Sequence, residues 1–206
     1  MSSFKLEYFP SRYFGEPARL LLHYVGQKFE DHRTDREKEW DTRKETTPFG
    51  TIPVLTVDGV QIGQSSAIYH YLARRFGLEG KGELEIATVN ALGDYLKDFM
   101  NANLPYVIAS FRQPDDVERL KTEVLVPNLH KYLPKFVSLL KASKSDFFAD
   151  SGLTWVDFAI SEYFDSMSKA APEVTGKYTE LQEHSKRVHS LPQLQSYLSS
   201  RPVTPW

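Results

Sequence analysis

The chain contains no cysteine, which excludes disulfides, thiolate metal sites and a protein-borne thiol nucleophile. Any reactive sulfur must therefore arrive with a ligand. A strong excess of charge is also missing. The 25 Lys and Arg residues against 27 Asp and Glu leave a net charge of −2, and the basic residues are dispersed among acids rather than gathered in a stripe, which argues against nucleic acid as the main partner. Long apolar runs are absent too. The opening Met1-Ser2-Ser3-Phe4-Lys5-Leu6-Glu7 lacks the core of a signal peptide, and no later run approaches the roughly 20 apolar residues of a membrane span. A cytoplasmic protein without membrane contact is the expectation. No repeat, heptad array or low-complexity tract interrupts the chain, and 206 residues suffice for one or two domains with real cores.

The most informative segment runs from Phe49 to Ile68. Pro53 opens a run in which Val54, Leu55 and Val57 favour a strand, a place where proline is tolerated because it has no N–H to donate. Asp58-Gly59 supplies the positive backbone angles of a type I′ turn, and Val60-Gln61-Ile62 alternates as a returning strand. An X-Pro bond opening a strand is a candidate for the cis form, so Ile52-Pro53 is expected to be cis. Ser65 falls at the next helix start, where it can act as a cap and where free N–H groups and the helix dipole favour an anion such as a ligand carboxylate.

Around this hairpin the periodicity predicts a small α/β unit. Phe4, Leu6 and Tyr8 alternate with Lys5 and Glu7 as a first strand with one apolar face. Pro17 suits the first turn of a helix whose buried stripe is Ala18, Leu21, Leu22 and Val25, stopped by Gly26. Phe29-Glu30-Asp31-His32 reads as a second strand, and Ile68, Tyr71, Leu72, Arg75 and Phe76 as a later helix capped by Gly77. The order is thus β-α-β, a connecting helix, then β-β-α. Gly77-Leu78-Glu79-Gly80-Lys81-Gly82 reads as a linker. It separates a first domain, 1–79, from a helical domain, 83–206. There Val117, Leu120, Val124, Leu129, Leu133, Phe136 and Leu140 mark a long helix bent by Pro127 and Pro134. Thr154-Trp155-Val156-Asp157 has capping-box spacing with Asp in place of Glu, and it starts an apolar, central helix.

In their order and spacing these segments resemble a cytosolic glutathione transferase of the sigma class, nematode type. The match is carried by Lys5-Leu6-Glu7-Tyr8-Phe9 with Arg12 and Glu16, by Phe49-Gly50-Thr51-Ile52-Pro53-Val54-Leu55, by Gln64-Ser65 and by Tyr71-Leu72-Ala73-Arg74. Leu153-Thr154-Trp155-Val156-Asp157 and the closing Arg201-Pro202-Val203-Thr204-Pro205-Trp206 extend it to the end of the chain. The resemblance implies an α+β fold, a thioredoxin-like glutathione-binding domain followed by an all-α domain that forms the pocket for a second substrate. It also implies a homodimer and glutathione as co-substrate.

By the same resemblance Tyr8 is the catalytic residue, its hydroxyl donating to the glutathione sulfur. Without help a thiol of pKa ~8.5 is only a few per cent thiolate at neutral pH. Trp40 and Lys44, four apart and so on one helical face, would cover the glycyl end of glutathione. Gly50, Thr51, Ile52 and Pro53 would meet its cysteinyl part through the Ile52 backbone, and Gln64 with Ser65 its γ-glutamyl carboxylate. Asp98 would reach the glutathione of a neighbouring subunit. Phe9, Tyr13, Phe14, Tyr106, Tyr163 and Trp206 are candidate walls of the second-substrate pocket. Each of these residues also has an ordinary structural reading, as core aromatic or solvated charge.

Some positions depart from the family. Tyr13 stands where a glycine is common, Phe14 replaces a small or basic residue, and Thr51 a longer polar one. Lys97 interrupts Asp94 and Asp98, so no metal site is expected. The sequence therefore points to conjugation of glutathione to small apolar electrophiles, with reduction of organic hydroperoxides as a related activity. Two alternatives stay open, a carrier of haem or other large apolar ligands and a glutathione-dependent prostaglandin isomerase.

Overall fold

The computed structural model describes residues 2–204 and 206. In chain order the elements are β1 (Phe4–Tyr8), α1 (Glu16–Tyr24), β2 (Glu30–Arg33), α2 (Trp40–Lys44), β3 (Val54–Val57), β4 (Val60–Gly63) and α3 (Ser65–Phe76). They are followed by α4 (Gly82–Ala102), α5 (Leu104–Arg112), α6 (Val117–Leu120), α7 (Val126–Ala142), α8 (Trp155–Ala170), α9 (Pro172–Thr175), α10 (Thr179–His189) and α11 (Gln195–Ser200). Two compact units divide at Gly80. The terminal segment is the difference from expectation. Ser190–Thr204 and Trp206 belong to the first unit rather than to the helical one, because polar groups of the first unit hold them. The Tyr197 hydroxyl donates to Glu16 Oε1 at 2.8 Å, Arg201 Nη1 to the same oxygen at 2.9 Å, and the Arg12 N–H to the Trp206 carbonyl at 2.6 Å.

The first unit is built on a four-stranded sheet in the order β2-β1-β3-β4. β1 runs parallel to β2, reached through the α1 crossover, and antiparallel to β3, which β4 joins as a hairpin. At the hairpin turn Asp58 and Gly59 have φ of 49° and 85°, the pair of positive angles that a type I′ turn demands. Phe4, Leu6 and Tyr8 are buried as their alternation predicts, but so is Glu7. The opposite face of β1 is thus covered, and Glu7 is paired there. Helix α1 is likewise buried beyond its apolar stripe, with Glu16 and Arg19 both fully inaccessible. Val25 and Gly26 close it, Gly26 at φ 67°.

In the second unit α8 is central, with Trp155, Val156, Phe158, Ala159, Ile160, Tyr163, Phe164 and Met167 all buried. Full burial of one such large side chain stabilises by about 1.5–3 kcal/mol. The Thr154 N–H donates to Asp157 Oδ2 at 2.8 Å and its hydroxyl to the same atom at 3.0 Å, so the helix starts as its spacing predicts. Asp157 Oδ1 also accepts from the Phe148 N–H at 3.0 Å and meets His184 Nε2 at 2.8 Å. The long helix of the sequence reading is segmented. A π-helical turn, Lys121–Leu125, lies directly before α7. Pro127 has no N–H to give the Glu123 carbonyl, and a wider turn accommodates the missing bond. Pro134 stays inside α7.

Candidate active site

Strand register brings the main candidates into one row. Glu7 of β1 pairs with Val54 of β3, and Val54 pairs with Gly63 of β4. The adjoining residues Tyr8, Pro53 and Gln64 therefore line up at the same end of three neighbouring strands. The Ile52-Pro53 bond is cis, as its place at the head of β3 predicts.

Tyr8 closes β1 and is buried. Burial pushes its phenol up to about 12, opposed by hydrogen bonds from the Phe14 backbone and Ser11 and by the Arg19 and Arg36 cations. The group is a hydrogen-bond donor at physiological pH. It cannot serve there as a base. Its ring is seated by Gly15, where a Cβ would fall 2.4 Å from Tyr8 Cδ1, closer than any packed carbon tolerates. Gly15 has an ordinary helical φ of −87°, so glycine is required here for space and not for backbone freedom.

Behind the ring lies Arg19, its Cζ 5.9 Å from the Tyr8 centroid. The guanidinium is held by Asp31 at 2.9 Å, by Glu16 at 3.1 Å and by the Ser11 carbonyl at 2.7 Å. With Arg201 on Glu16 at 2.9 Å and Arg33 on Asp31 at 2.9 Å, three cations face two carboxylates, each carboxylate shared between two of them, which offsets the desolvation that isolated buried charges would suffer. Burial alone would lower the Arg19 pKa, but Asp31 and Glu16 hold it above the ordinary value. The opposed charges of Glu16 and Arg19, three apart on an otherwise apolar helix, were a legible signal of this cluster.

Helix α2 carries Trp40 and Lys44 and is fastened by the residue between them. Arg43 Nε donates to Glu7 Oε1 at 2.9 Å, a second guanidinium nitrogen bonds Glu7 Oε2, and the Thr34 hydroxyl adds a bond of 3.0 Å. Burial would raise the Glu7 pKa, yet the Arg43 and Thr34 bonds keep it below the usual carboxylate range. Trp40 packs edge-on against Phe9 at 5.4 Å. Lys44 is exposed and passes Gly50, whose added Cβ would lie 3.8 Å from the Lys44 stem. Thr51 is exposed and Ile52 half-buried.

At the far end of the row the helix start differs from expectation. Ser65 is the first residue of α3, and the cap position is Gln64, with φ 68° and no side-chain capping bond. A non-glycine residue in that conformation costs of order 1–3 kcal/mol and persists only where surrounding structure imposes it. The uncapped start of a 12-residue helix, with its positive dipole end, suits a carboxylate. Tyr13 is strained as well, at φ 27°. Its ring meets Phe14 at 4.5 Å, and the Phe14 carbonyl accepts the Tyr69 hydroxyl at 2.6 Å.

The other candidates belong to other elements. Trp206 is a buried side chain of the first unit. Tyr106 and Tyr163 are buried in the second, where the Tyr163 hydroxyl accepts from Asn103 Nδ2 at 3.0 Å. Asp98 is exposed on α4. Among the described residues no group of three His, Asp or Glu side chains could hold a metal ion, and no helix is long and apolar enough to cross a membrane.

Comparison with known proteins identifies the family. Residues 9–81 match the glutathione S-transferase N-terminal domain, and residues 97–201 the glutathione S-transferase C-terminal domain. The chain is 40% identical to a probable glutathione S-transferase of Caenorhabditis elegans over 99% of both chains. The crystal structure of an Ascaris lumbricoides glutathione S-transferase superposes with a TM-score of 0.91 at 39% identity, covering 99% of this chain and all of that one. A monomeric glutathione S-transferase of the hookworm Necator americanus superposes at 0.92 with 33% identity and the same coverage. The chain belongs to the glutathione S-transferase family, with a thioredoxin-like first domain and a helical second one, and is a glutathione S-transferase enzyme.

Proposed function

We propose that this is a sigma-class enzyme in which Tyr8 donates a hydrogen bond to the glutathione sulfur and so stabilises the attacking thiolate. The observation that carries this reading is the seating of Tyr8, a buried phenol kept protonated, fixed by Gly15 and placed in one row with Pro53 and Gln64. Glutathione would lie along that row. Its γ-glutamyl carboxylate meets the uncapped start of α3 at Gln64 and Ser65, its cysteinyl part pairs with the Ile52 backbone beside Gly50 and Thr51, and its glycyl carboxylate faces Lys44 and Trp40. The thiolate then attacks a small apolar electrophile, forming the C–S bond and expelling the leaving group. Lowering the thiol pKa by ~2 units takes about 2.7 kcal/mol of preferential stabilisation, within reach of a charge-assisted bond in a favourable field.

The second substrate would be held by Phe9, Tyr13 and Phe14, with Tyr106, Tyr163 and Trp206 as further walls. In a closed dimer Asp98 would complete the partner's glutathione site. The test is retention on immobilised glutathione followed by assays with a dinitrophenyl halide and an organic hydroperoxide. Failure to be retained together with no turnover of either overturns the reading. Sedimentation tests the dimer separately, and a fully active monomer, as in the hookworm relative's assembly state, removes the role for Asp98.

A further inference from the structure

Helix α3 buries Ser65, Ile68, Tyr69, Leu72 and Ala73, the i, i+3, i+4, i+7, i+8 stripe of a helix face turned to a core. One member of that stripe carries a group that an apolar core does not accommodate. Tyr69 is 6% exposed, and a phenol placed there must find a partner inside the protein to replace the water it loses. Its hydroxyl donates to the Phe14 carbonyl at 2.6 Å, across 55 residues of chain. Burial, helped by the neighbouring Tyr8 phenol, holds the Tyr69 pKa well above its ordinary value, so the group stays a donor at physiological pH.

Phe14 bears on the proposed reaction through its other backbone group. Its N–H donates to the Tyr8 hydroxyl oxygen, so the two backbone polar groups of one residue connect Tyr69 to Tyr8. A phenol that accepts one bond donates its own proton more readily, because hydrogen bonds in a chain polarise one another. Phe14 follows Tyr13, whose φ of 27° persists only where surrounding structure imposes it. Tyr69 fastens that loop from outside it.

We propose that Tyr69 is a positioning residue for the transferase reaction: by holding the Phe14 carbonyl it keeps the Phe14 N–H on the Tyr8 oxygen and makes the Tyr8 hydroxyl a stronger donor to the glutathione sulfur. The inference rests on the reading of Tyr8 as that donor. Tyr69 itself acts without touching the sulfur. The charges that face Tyr8, Arg19 of α1 and Arg36, stay in place when only the Tyr69 hydroxyl is removed.

Tyr69→Phe keeps the ring and removes the tether, and the thiolate absorbance of bound glutathione, titrated against pH, reads the consequence. The midpoint should rise by about 0.7 pH unit, with an about fivefold loss of kcat/KM for a dinitrophenyl halide at pH 6.5, the scale of one hydrogen bond. The loss should vanish above pH 9, and glutathione affinity should hold. Tyr8→Phe should raise the midpoint further, and the double variant should be no worse than Tyr8→Phe alone, since a residue that acts through Tyr8 then has nothing to act on. If Tyr69→Phe folds poorly, Tyr69→Met, flexible enough to fill the same space, carries the same titration. A lower Tm with an unmoved thiol midpoint, or additive losses in the double variant, would overturn the role of Tyr69 and leave that of Tyr8 intact. An unmoved midpoint in Tyr8→Phe would remove the donor itself, and the proposal with it.

Discussion

Two glycines, one in each unit, make the same steric opening for an aromatic ring, and what the ring does separates them. Gly15 admits Tyr8, with an added Cβ 2.4 Å from the ring, and Gly93 on α4 admits Trp155 of α8, with an added Cβ 2.1 Å from Cη2. Neither sits at a positive φ, so neither is explained by turn geometry. Trp155 is 2% exposed and serves packing. Tyr8 carries the polar group that the proposed reaction uses. The first unit accordingly invests in oriented polarity, with strained Gln64 and Tyr13 and a paired cluster of charge around Arg19, whereas the second invests in apolar contact around α8. Space for a ring is a stability feature in one and a positioning feature in the other.

The strongest way to break this comparison is to remove the polar group and keep the ring. Tyr8→Phe should retain the fold and lower kcat/KM for conjugation by roughly 10²-fold at neutral pH, the upper end of ~1–3 kcal/mol for one charge-assisted bond. The deficit should shrink above pH 9, where the thiol ionises unaided. A variant as active as wild type at pH 6.5 removes Tyr8 from the mechanism.

Displacing the ring comes next. Gly15→Ala should cost roughly 10-fold or more in kcat/KM, since misplacement by an ångström is enough for such losses. Conjugation by the folded fraction is the readout. If only the melting temperature falls, the two glycines are equivalent and the distinction between units fails.

Gly93→Ala should show the opposite pattern. Alanine gains up to ~1 kcal/mol of helix propensity, but overpacking against a buried indole costs about 1–3 kcal/mol. A net fall in Tm of roughly 2–8 °C is expected, with kcat/KM of the folded enzyme unchanged.

The smallest effect is in pH dependence. Arg43 and Thr34 hold the Glu7 pKa below its ordinary 4.5, so the native state binds the proton less tightly than the unfolded chain. That contribution is present above pH 4.5 and is lost as pH falls through the lower native value. Urea unfolding between pH 3 and 7 should show a shallower acid slope in Glu7→Gln. In the same spirit, ultraviolet titration should detect no phenolate from Tyr8 until near pH 12, with Tyr8→Phe identifying its share.

Much of the fold was legible because its signals are short-range. The Asp58-Gly59 turn, the β1 alternation, the Gly77 cap at φ 71° and the Thr154 to Asp157 pairing each lie within a few residues. The candidate row was legible only through the resemblance of ordered segments. The burial of Glu7 on the other face of β1 left no local trace, because Arg43, which pairs with it, is 36 residues away. His184, 27 residues from Asp157, left no local trace either.

By itself the sequence determined the element order, the absence of any thiol chemistry of the protein's own and the family to which its spaced segments point. Such properties depend on composition, on periodicity of 2 or 3.6, and on turn residues, all readable along the chain. Only the tertiary structure decided that Tyr8, Pro53 and Gln64 share one end of the sheet, that Gly15 makes room for the phenol and that the tail from Ser190 joins the first unit. Those facts follow from strand register and close approach between distant residues, where an atom's neighbours are set by how elements pack and not by what precedes them in the chain.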